Sequence, residues 1–386
     1  MMTILHIANS YGGTSVYTNL YTAIDANDDV VQWVYVPLNN RNHGRVGNKM
    51  IDFRNEGSAI HYSTILKPYH KYLYGLRIHA IVKDIERTFD MSKVDVIHTG
   101  TLCLDGAVAY ELNKKYGTPY IVTVRNTDAG YYRMNWNRIY FTKIMENAAK
   151  VIFVSPKFKD VFSKNYIPAN VQVLLSSKVI AIPNGVDDTF LENISKDHKN
   201  YNGTLNIIFI AGFFKRKGLL ETIKAVEILR YKGYEVTLNA IGKGLPNRPH
   251  EEEYISQVEN LSAGKDYIKL QPFMSSEDLI KEMAKANCFI LPSSGETFGL
   301  VYVEALSQHL PIIYGKDEGF DGFYPDGFVG YPATAGNADN IAEQIQALIN
   351  NYTYIANNVE SLDLEKDFKW SNIADKYFNL YKSIIK

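Results

Sequence analysis

Cys288-Phe-Ile-Leu-Pro-Ser-Ser-Gly-Glu-Thr-Phe-Gly-Leu-Val-Tyr-Val-Glu304 opens on an apolar run, passes through a turn of small residues and continues into a stretch whose acidic residues, Glu296 and Glu304, stand eight apart. That succession reads as strand, turn and helix. Ligands of open α/β sheets bind at this kind of edge, where a strand ends and the next helix begins. Unpaired N–H groups around Thr297–Leu300, at the positive end of the helix dipole, suit a diphosphate, and Gly299 lets the backbone approach it. Glu296 in the turn and Glu304 about a turn and a half into the helix can contact different parts of one elongated ligand, and need not form an acid/base pair. A helix dipole also favours acidic residues near its start, but that preference sets neither the interval nor the small-residue turn.

The same alternation runs along the whole chain. Short apolar, β-branched runs recur at Ile4–Ala8, Val30–Val36, Val94–His98, Tyr120–Val124, Val151–Val154 and Val179–Ile182. A second series starts at Asn206–Ala211 and continues through Glu235–Ile241, Tyr267–Leu270, Cys288–Pro292 and Pro311–Tyr314. Amphipathic stretches separate its members at Leu219–Arg230, Glu251–Leu261, Ser276–Ala286 and Leu300–Gln308. Parallel strands need a crossover helix between them, so the pattern predicts an α/β fold of two Rossmann-like domains with parallel sheets, facing each other across an interdomain cleft. Turn chemistry at Pro183-Asn184-Gly185-Val186-Asp187 and a polar stretch at Glu192–Gly203, read as a linker, put the boundary near residue 190. The domains are then 1–190 and 191–386. From Phe368 onward, Ile373, Tyr377, Leu380, Tyr381 and Ile384 have helical spacing, and this terminal helix is expected to pack back toward the first domain.

Composition limits the function classes. A chain of 386 residues, 46% hydrophobic and 22% charged, has enough apolar material for two cores and no signature of disorder. Cys103 and Cys288 are its only cysteines and lack metal-ligand spacing, which speaks against a disulfide scaffold or structural zinc. No signal-length apolar segment opens the chain and no run is long enough to span a bilayer, so a cytoplasmic location is expected. Residues 1–180 hold 21 Lys/Arg against 14 Asp/Glu, leaving 20 against 28 for the rest. The basic half could attract an anionic acceptor or the inner leaflet of a membrane, or be an ordinary solvated face. Tyr69-His-Lys-Tyr-Leu-Tyr-Gly-Leu-Arg77 carries the same two readings, a peripheral membrane contact or a helix with its aromatic stems packed inside. No nucleic-acid partner is expected.

Glu296-x7-Glu304 within Ser-Gly-Glu-Thr-Phe-Gly-Leu-Val-x-Val-Glu-Ala resembles the signature of the large retaining glycosyltransferase family of GT-B fold, the group 1 glycosyl transferases of bacterial polysaccharide biosynthesis. The resemblance implies that Glu296 contacts the donor sugar, that the amides of Phe298, Gly299 and Leu300 hold the diphosphate, and that Glu304 takes the ribose hydroxyls. Ile210-Ala-Gly-Phe-Phe-Lys-Arg-Lys-Gly-Leu219 is similar to the family's Gly-Arg-Leu-x-x-x-Lys-Gly turn, whose two cations neutralise the diphosphate as its leaving-group charge develops. This turn is one residue shorter and has Phe213 where Arg is expected, so Lys217 is paired with Arg216 or Lys215. Alone, such a basic run is more often a solvated face. Gly242-Lys243-Gly244 resembles the family's Gly-x-Gly turn beside the nucleotide, and Gln271-Pro272-Phe273 falls where relatives line the base pocket, with a backbone group near Phe273 reading the base edge.

In the first domain, Asn9-Ser10-Tyr11-Gly12-Gly13-Thr14-Ser15 links strand to helix where relatives have a Gly-Gly loop approaching donor phosphates and acceptor. It is not the Gly-x-Gly-x-x-Gly dinucleotide fingerprint, so NAD binding is disfavoured. His98 ends another strand at that edge and is as consistent with a structural as with a ligand-binding role. In Val122-Thr123-Val124-Arg125-Asn126-Thr127-Asp128, Arg125 stands where many relatives have His; a permanent planar cation grips phosphate or carboxylate instead of acting as a base. Asp128 either pairs with Arg125 or caps the next helix. Nucleophile-elbow, zincin and Asp-x-Asp patterns are missing, so no obligatory metal or cofactor is expected, Lys, Arg and helix N-termini meeting the diphosphate charge. The resulting expectation is a retaining, hexosyltransferase-like enzyme that moves a sugar from a UDP- or GDP-linked donor to a hydroxyl of a glycan or lipid-linked acceptor. A non-catalytic sugar-nucleotide-binding protein, or an epimerase or phosphorylase on the same fold, would be separated from it by acceptor-dependent product formation.

Overall fold

The computed structural model describes residues 1–38, 50–134, 137–243 and 249–385. The chain divides into two compact units, the first made of Met1–Val154, Lys159–Gly185 and Trp370–Lys386, the second of Ser155–Phe158 and Val186–Lys369.

The first unit is built on seven strands, β1 (Met2–Ile7), β2 (Val30–Pro37), β3 (Ala59–Ser63), β4 (Val96–Thr99), β5 (Tyr120–Val124), β6 (Lys150–Phe153) and β7 (Val179–Ala181). They form one sheet in the order β3-β2-β1-β4-β5-β6-β7, and every pairing is parallel. Val96–Thr99 and Tyr120–Val124 are buried throughout, as expected of central parallel strands covered on both faces. The last helix, Trp370–Ile384, buries Trp370, Ile373, Ala374, Tyr377 and Tyr381 on one side, and the Tyr381 hydroxyl lies 2.7 Å from His98 Nδ1.

In the second unit, β8 (Thr204–Ile210), β9 (Glu235–Lys243), β10 (Ile268–Pro272), β11 (Cys288–Leu291), β12 (Ile312–Gly315) and β13 (Gly330–Ala333) form a second parallel sheet, ordered β10-β9-β8-β11-β12-β13. In both sheets the order reverses once, at β1/β4 and at β8/β11, so the loops leaving those four strands gather at the two switch points where α/β sheets bind ligands.

The eleven runs anticipated from β-branched periodicity coincide with strands to within two residues. The two strands not anticipated, β3 and β13, are sheet edges. Ala-Ile-His-Tyr-Ser mixes polar with apolar positions, and Gly-Tyr-Pro-Ala contains a proline that only an edge tolerates, so neither shows the central-strand pattern. The expected linker at 192–203 is instead docked on the second unit. Lys199 is buried and its ammonium donates to the carbonyls of Met283 (3.3 Å) and Ala284 (2.7 Å), while Ser195 N–H reaches the Ser307 carbonyl (2.9 Å). A cation at the C-terminal end of the helix Ser276–Ala284 is favoured there by the exposed carbonyl dipoles.

Candidate functional site

At the β8/β11 switch point two loops are stitched edge to edge. The loop after β8 closes into a 3-10 turn, Lys215–Lys217, ending on Gly218 at φ 77°, and the helix Leu219–Tyr231 follows. The backbone N–H of Ser294, in the loop after β11, donates to the Arg216 carbonyl at 2.8 Å. A Cβ on Gly218 would come within 3.0 Å of the Pro292 carbonyl oxygen, so glycine permits this approach. Phe213, at the position where the resemblance leads one to expect a cation, is 2% exposed and belongs to the core.

The stitching brings Lys217 and Glu296 together. The Lys217 ammonium donates to Glu296 Oε1, and Arg216 Nη1 lies 3.3 Å from the same oxygen. Side-chain exposures are 13% for Lys217, 15% for Glu296 and 52% for Arg216, so the first pair is screened from water and the second cation is not. Burial lowers the Lys217 pKa, with the Glu296 charge opposing it. Lys215 and Arg216 also border a cavity of about 540 Å³ together with Phe214, Gly218, Pro292 and Ser294.

Glu318, absent from the expectations above, completes this corner. It sits in the loop after β12 and accepts the backbone N–H of Glu296 at 2.8 Å, with a further bond from the Gly295 amide; burial raises its pKa. Behind it, a Cβ on Gly319 would lie 2.4 Å from Phe298 N, so this loop is pressed against the backbone of Thr297 and Phe298. The Phe298 side chain points into an aromatic cluster with Phe323 and Phe368, which leaves only its main chain for a ligand.

Gly299, at φ 86°, is the N-cap of the helix Leu300–Ser307, and a Cβ there would fall 2.4 Å from the Tyr302 ring. Glu304 lies on that helix in desolvated surroundings. Burial, reinforced by the like charge of Asp187, pushes its carboxyl up to about 7. Gly242, at φ 134° at the end of β9, has no room for a Cβ, which would sit 2.0 Å from the Ala211 carbonyl oxygen. Gly244 lies outside the described residues. Phe273, just after β10, is 50% exposed, whereas Gln271 is turned to Asn239 (2.7 Å) and Glu282 (3.3 Å).

The first unit has its own constellation at β1/β4. Gly12 is buried and Gly13 exposed in the 3-10 turn Tyr11–Gly13. Arg125 Nε donates to the Gly100 carbonyl (3.0 Å), and its guanidinium lies over the Tyr17 ring at 5.0 Å. Asp128 does not pair with that guanidinium: its carboxylate accepts the N–H groups of Arg125 (2.8 Å), Cys103 (2.8 Å) and Leu102 (3.2 Å), capping the helix Asn126–Arg133. Of the two readings of Asp128, the cap is the one adopted. His98 is buried between Tyr381 and Thr123, and desolvation with the nearby Arg125 charge holds its pKa down to about 3, so it is a neutral packing residue. In the 69–77 stretch Tyr69, Tyr72, Leu73 and Leu76 are exposed, whereas His70 is buried and Tyr74 packs on Phe141 with its hydroxyl donating to the Cys103 carbonyl, so the stems are packed only in part. Among the described residues no helix is long and apolar enough to cross a membrane, and no group of three or more His, Cys, Asp or Glu could hold a metal ion.

Glu318 and Asp187 could not be paired with Glu296 and Glu304 from the sequence, because their own neighbours carry no motif and only the fold brings them near.

Comparison with known proteins agrees with this architecture. The family described as Glycosyl transferases group 1 matches residues 191–363, and Glycosyltransferase Family 4 matches residues 12–190. The chain is 27% identical over 327 residues to an uncharacterized glycosyltransferase of Methanocaldococcus jannaschii, covering 84% of this chain and 85% of that one. It is also 27% identical over 297 residues to the alpha-monoglucosyldiacylglycerol synthase of Acholeplasma laidlawii, covering 71% and 72%. Among solved structures, Anabaena HepE in complex with UDP superposes with a TM-score of 0.72 at 16% identity, over 99% of this chain and 100% of that one. Two parallel Rossmann-like sheets, a cation-bearing turn meeting an acidic turn at the second switch point, and family matches that together span residues 12–363 lead to one conclusion: the chain is a glycosyltransferase of GT-B fold whose residues 191–363 match the group 1 glycosyl transferases.

Proposed function

We propose that the chain transfers a sugar from a nucleoside diphosphate sugar to a hydroxyl acceptor with retention of anomeric configuration and without a metal. The observation that carries this reading is the convergence of Lys217 and Arg216 on Glu296 beside the Gly299-led helix that bears Glu304. In it, residues 191–369 hold the donor and the first unit recognises the acceptor.

Lys217 and Arg216 exchange carboxylate oxygen for diphosphate oxygen, and the amides of Phe298, Gly299 and Leu300 add donors to the same group. Glu296, released from the cations, accepts hydroxyls of the donor sugar; Glu304 grips the ribose. As the bond from the anomeric carbon to the diphosphate oxygen breaks, its electron pair leaves with the diphosphate, where Lys217 and Arg216 stabilise it. The acceptor oxygen bonds to the anomeric carbon from the same face and its proton passes to a leaving-group oxygen. Gly242 and the main chain near Phe273 bound the nucleotide, and Gly12, Gly13 and Arg125 serve the acceptor side.

A UDP-linked donor is the first to try, because a structural relative binds UDP. A lipid-linked or glycan acceptor at the cytoplasmic leaflet fits the relative that makes a glycolipid and the exposed Tyr69, Tyr72, Leu73 and Leu76. Incubation with UDP- and GDP-sugars and glycolipid acceptors in chelator should release nucleotide only when an acceptor is present. Full nucleotide binding by Glu304→Ala would remove the assignment. Sedimentation with anionic liposomes at low salt tests the membrane contact, which falls if the chain stays in the supernatant.

A further inference from the structure

Two arginines reach into the loops at the first switch point, and among the described residues neither is within ion-pair distance of a carboxylate. Arg77, on the helix Tyr74–Thr88, donates from Nη2 to Asn9 Oδ1 (2.5 Å) in the loop after β1, and its buried Nε has no hydrogen-bond partner among the described residues. Arg125 reaches the Gly100 carbonyl in the loop after β4. Neither guanidinium enters an ion pair among the described residues. The acids nearby are engaged by neutral donors. Asp128 takes three backbone amides, and Asp105 takes the Asn9 N–H (3.1 Å) and the Thr101 hydroxyl (2.9 Å).

These contacts form one connected corner, because Asn9 bonds Arg77 and Asp105, Asp105 bonds Thr101, and Thr101 adjoins the Gly100 held by Arg125 and Tyr17. Further along the loop that carries Asn9, a Cβ on Gly13 would meet nothing within 4 Å, so that part of the loop has open room. Both arginines are partly exposed. Two permanent planar cations from different elements suit an oxyanion with several acceptor oxygens, and a phosphate can take N–H bonds from more than one guanidinium.

We propose that Arg77 and Arg125 bind a phosphate carried by the acceptor, which makes the acceptor a phosphorylated sugar or a lipid-linked phosphate. The proposal rests on the transferase reading, in which the first unit receives the acceptor. It adds Arg77 to the site and narrows the acceptor class.

The test is calorimetric titration of the full chain with inorganic phosphate, on wild type, Arg77→Gln, Arg77→Gln/Arg125→Gln and Lys217→Ala. With UDP saturating the donor site in every titration, wild type should bind phosphate, the double variant should lose about tenfold or more in affinity, and Lys217→Ala should change it less than about twofold. Absent binding to wild type, or loss in Lys217→Ala but not in the arginine variants, overturns the proposal. Arg125 also supports Gly100, so Arg77→Gln, which leaves that bond alone, must by itself weaken phosphate binding at an unchanged melting temperature. Glucose 6-phosphate and a short-chain polyprenyl phosphate then compete for the site; the tighter competitor names the source, and failure of both sinks the idea. UDP titration run in parallel keeps the readings apart, since UDP binding that persists without any phosphate response removes the acceptor subsite and leaves the transferase standing.

Discussion

Glu304 has a carboxyl whose pKa burial has moved from the ordinary carboxylate range up to about 7. Its folded value lies above the unfolded one, so the unfolded chain releases this proton first as pH rises. The stability it contributes is complete below about pH 4.5 and is lost on going up through pH 7. Glu304→Gln should therefore raise the melting temperature at pH 8 by a few degrees and leave it nearly unchanged at pH 4, while weakening nucleotide binding. Scanning fluorimetry at both pH values, with and without UDP, checks this; equal shifts at the two would contradict the burial argument. Lys217→Ala acts differently. It leaves Glu296, 15% exposed, with the exposed Arg216 as its one cationic partner among the described residues, so kcat should fall by about 100-fold or more, the scale on which loss of a preorganised charge acts. A fall under tenfold in a nucleotide-release assay would assign the electrostatic role elsewhere.

Turns at strand ends separate glycines that the fold demands from glycines it does not. Gly299→Ala meets both a left-handed backbone and the Tyr302 ring at 2.4 Å, so it should cost about 1–3 kcal/mol in urea unfolding. Gly13→Ala meets open space at an ordinary φ and should cost under about 0.5 kcal/mol; its effect belongs in turnover instead. The sequence made the central strands legible because Val96–Thr99, Tyr120–Val124 and Cys288–Leu291 are buried on both faces and so carry unbroken apolar runs. Edges β3 and β13 escaped because an edge has one neighbour and admits polar residues and proline. At the site, Lys217 and Glu296 were legible because each lies in the turn that follows a recognisable strand. Arg77 and Glu318 were not. Arg77 sits on a helix 68 residues from the asparagine it meets, and Glu318 lies 22 residues beyond the amide it holds, a proximity that only the assembled sheet creates. The docking of Lys199 escaped for the same reason, since a polar stretch looks alike whether it is solvated or tied to a helix end.

At the scale of the molecule, the first unit is discontinuous: its sheet is made from residues 1–185 and its closing helix is Trp370–Ile384. Removing 370–386 should strip cover from His98 and Tyr17's neighbours and expose the first unit to proteolysis, while Val186–Lys369 stays protected. Limited trypsin digestion of the truncated chain would read this directly, and equal sensitivity of both units would refute it. The same layout orders events during synthesis. A ribosome delivers the strands of the first unit early, yet withholds the helix that seals them until the whole of the second unit has been made. The second unit, nearly contiguous, can complete its core while the first still waits, so the part made first is the part finished last.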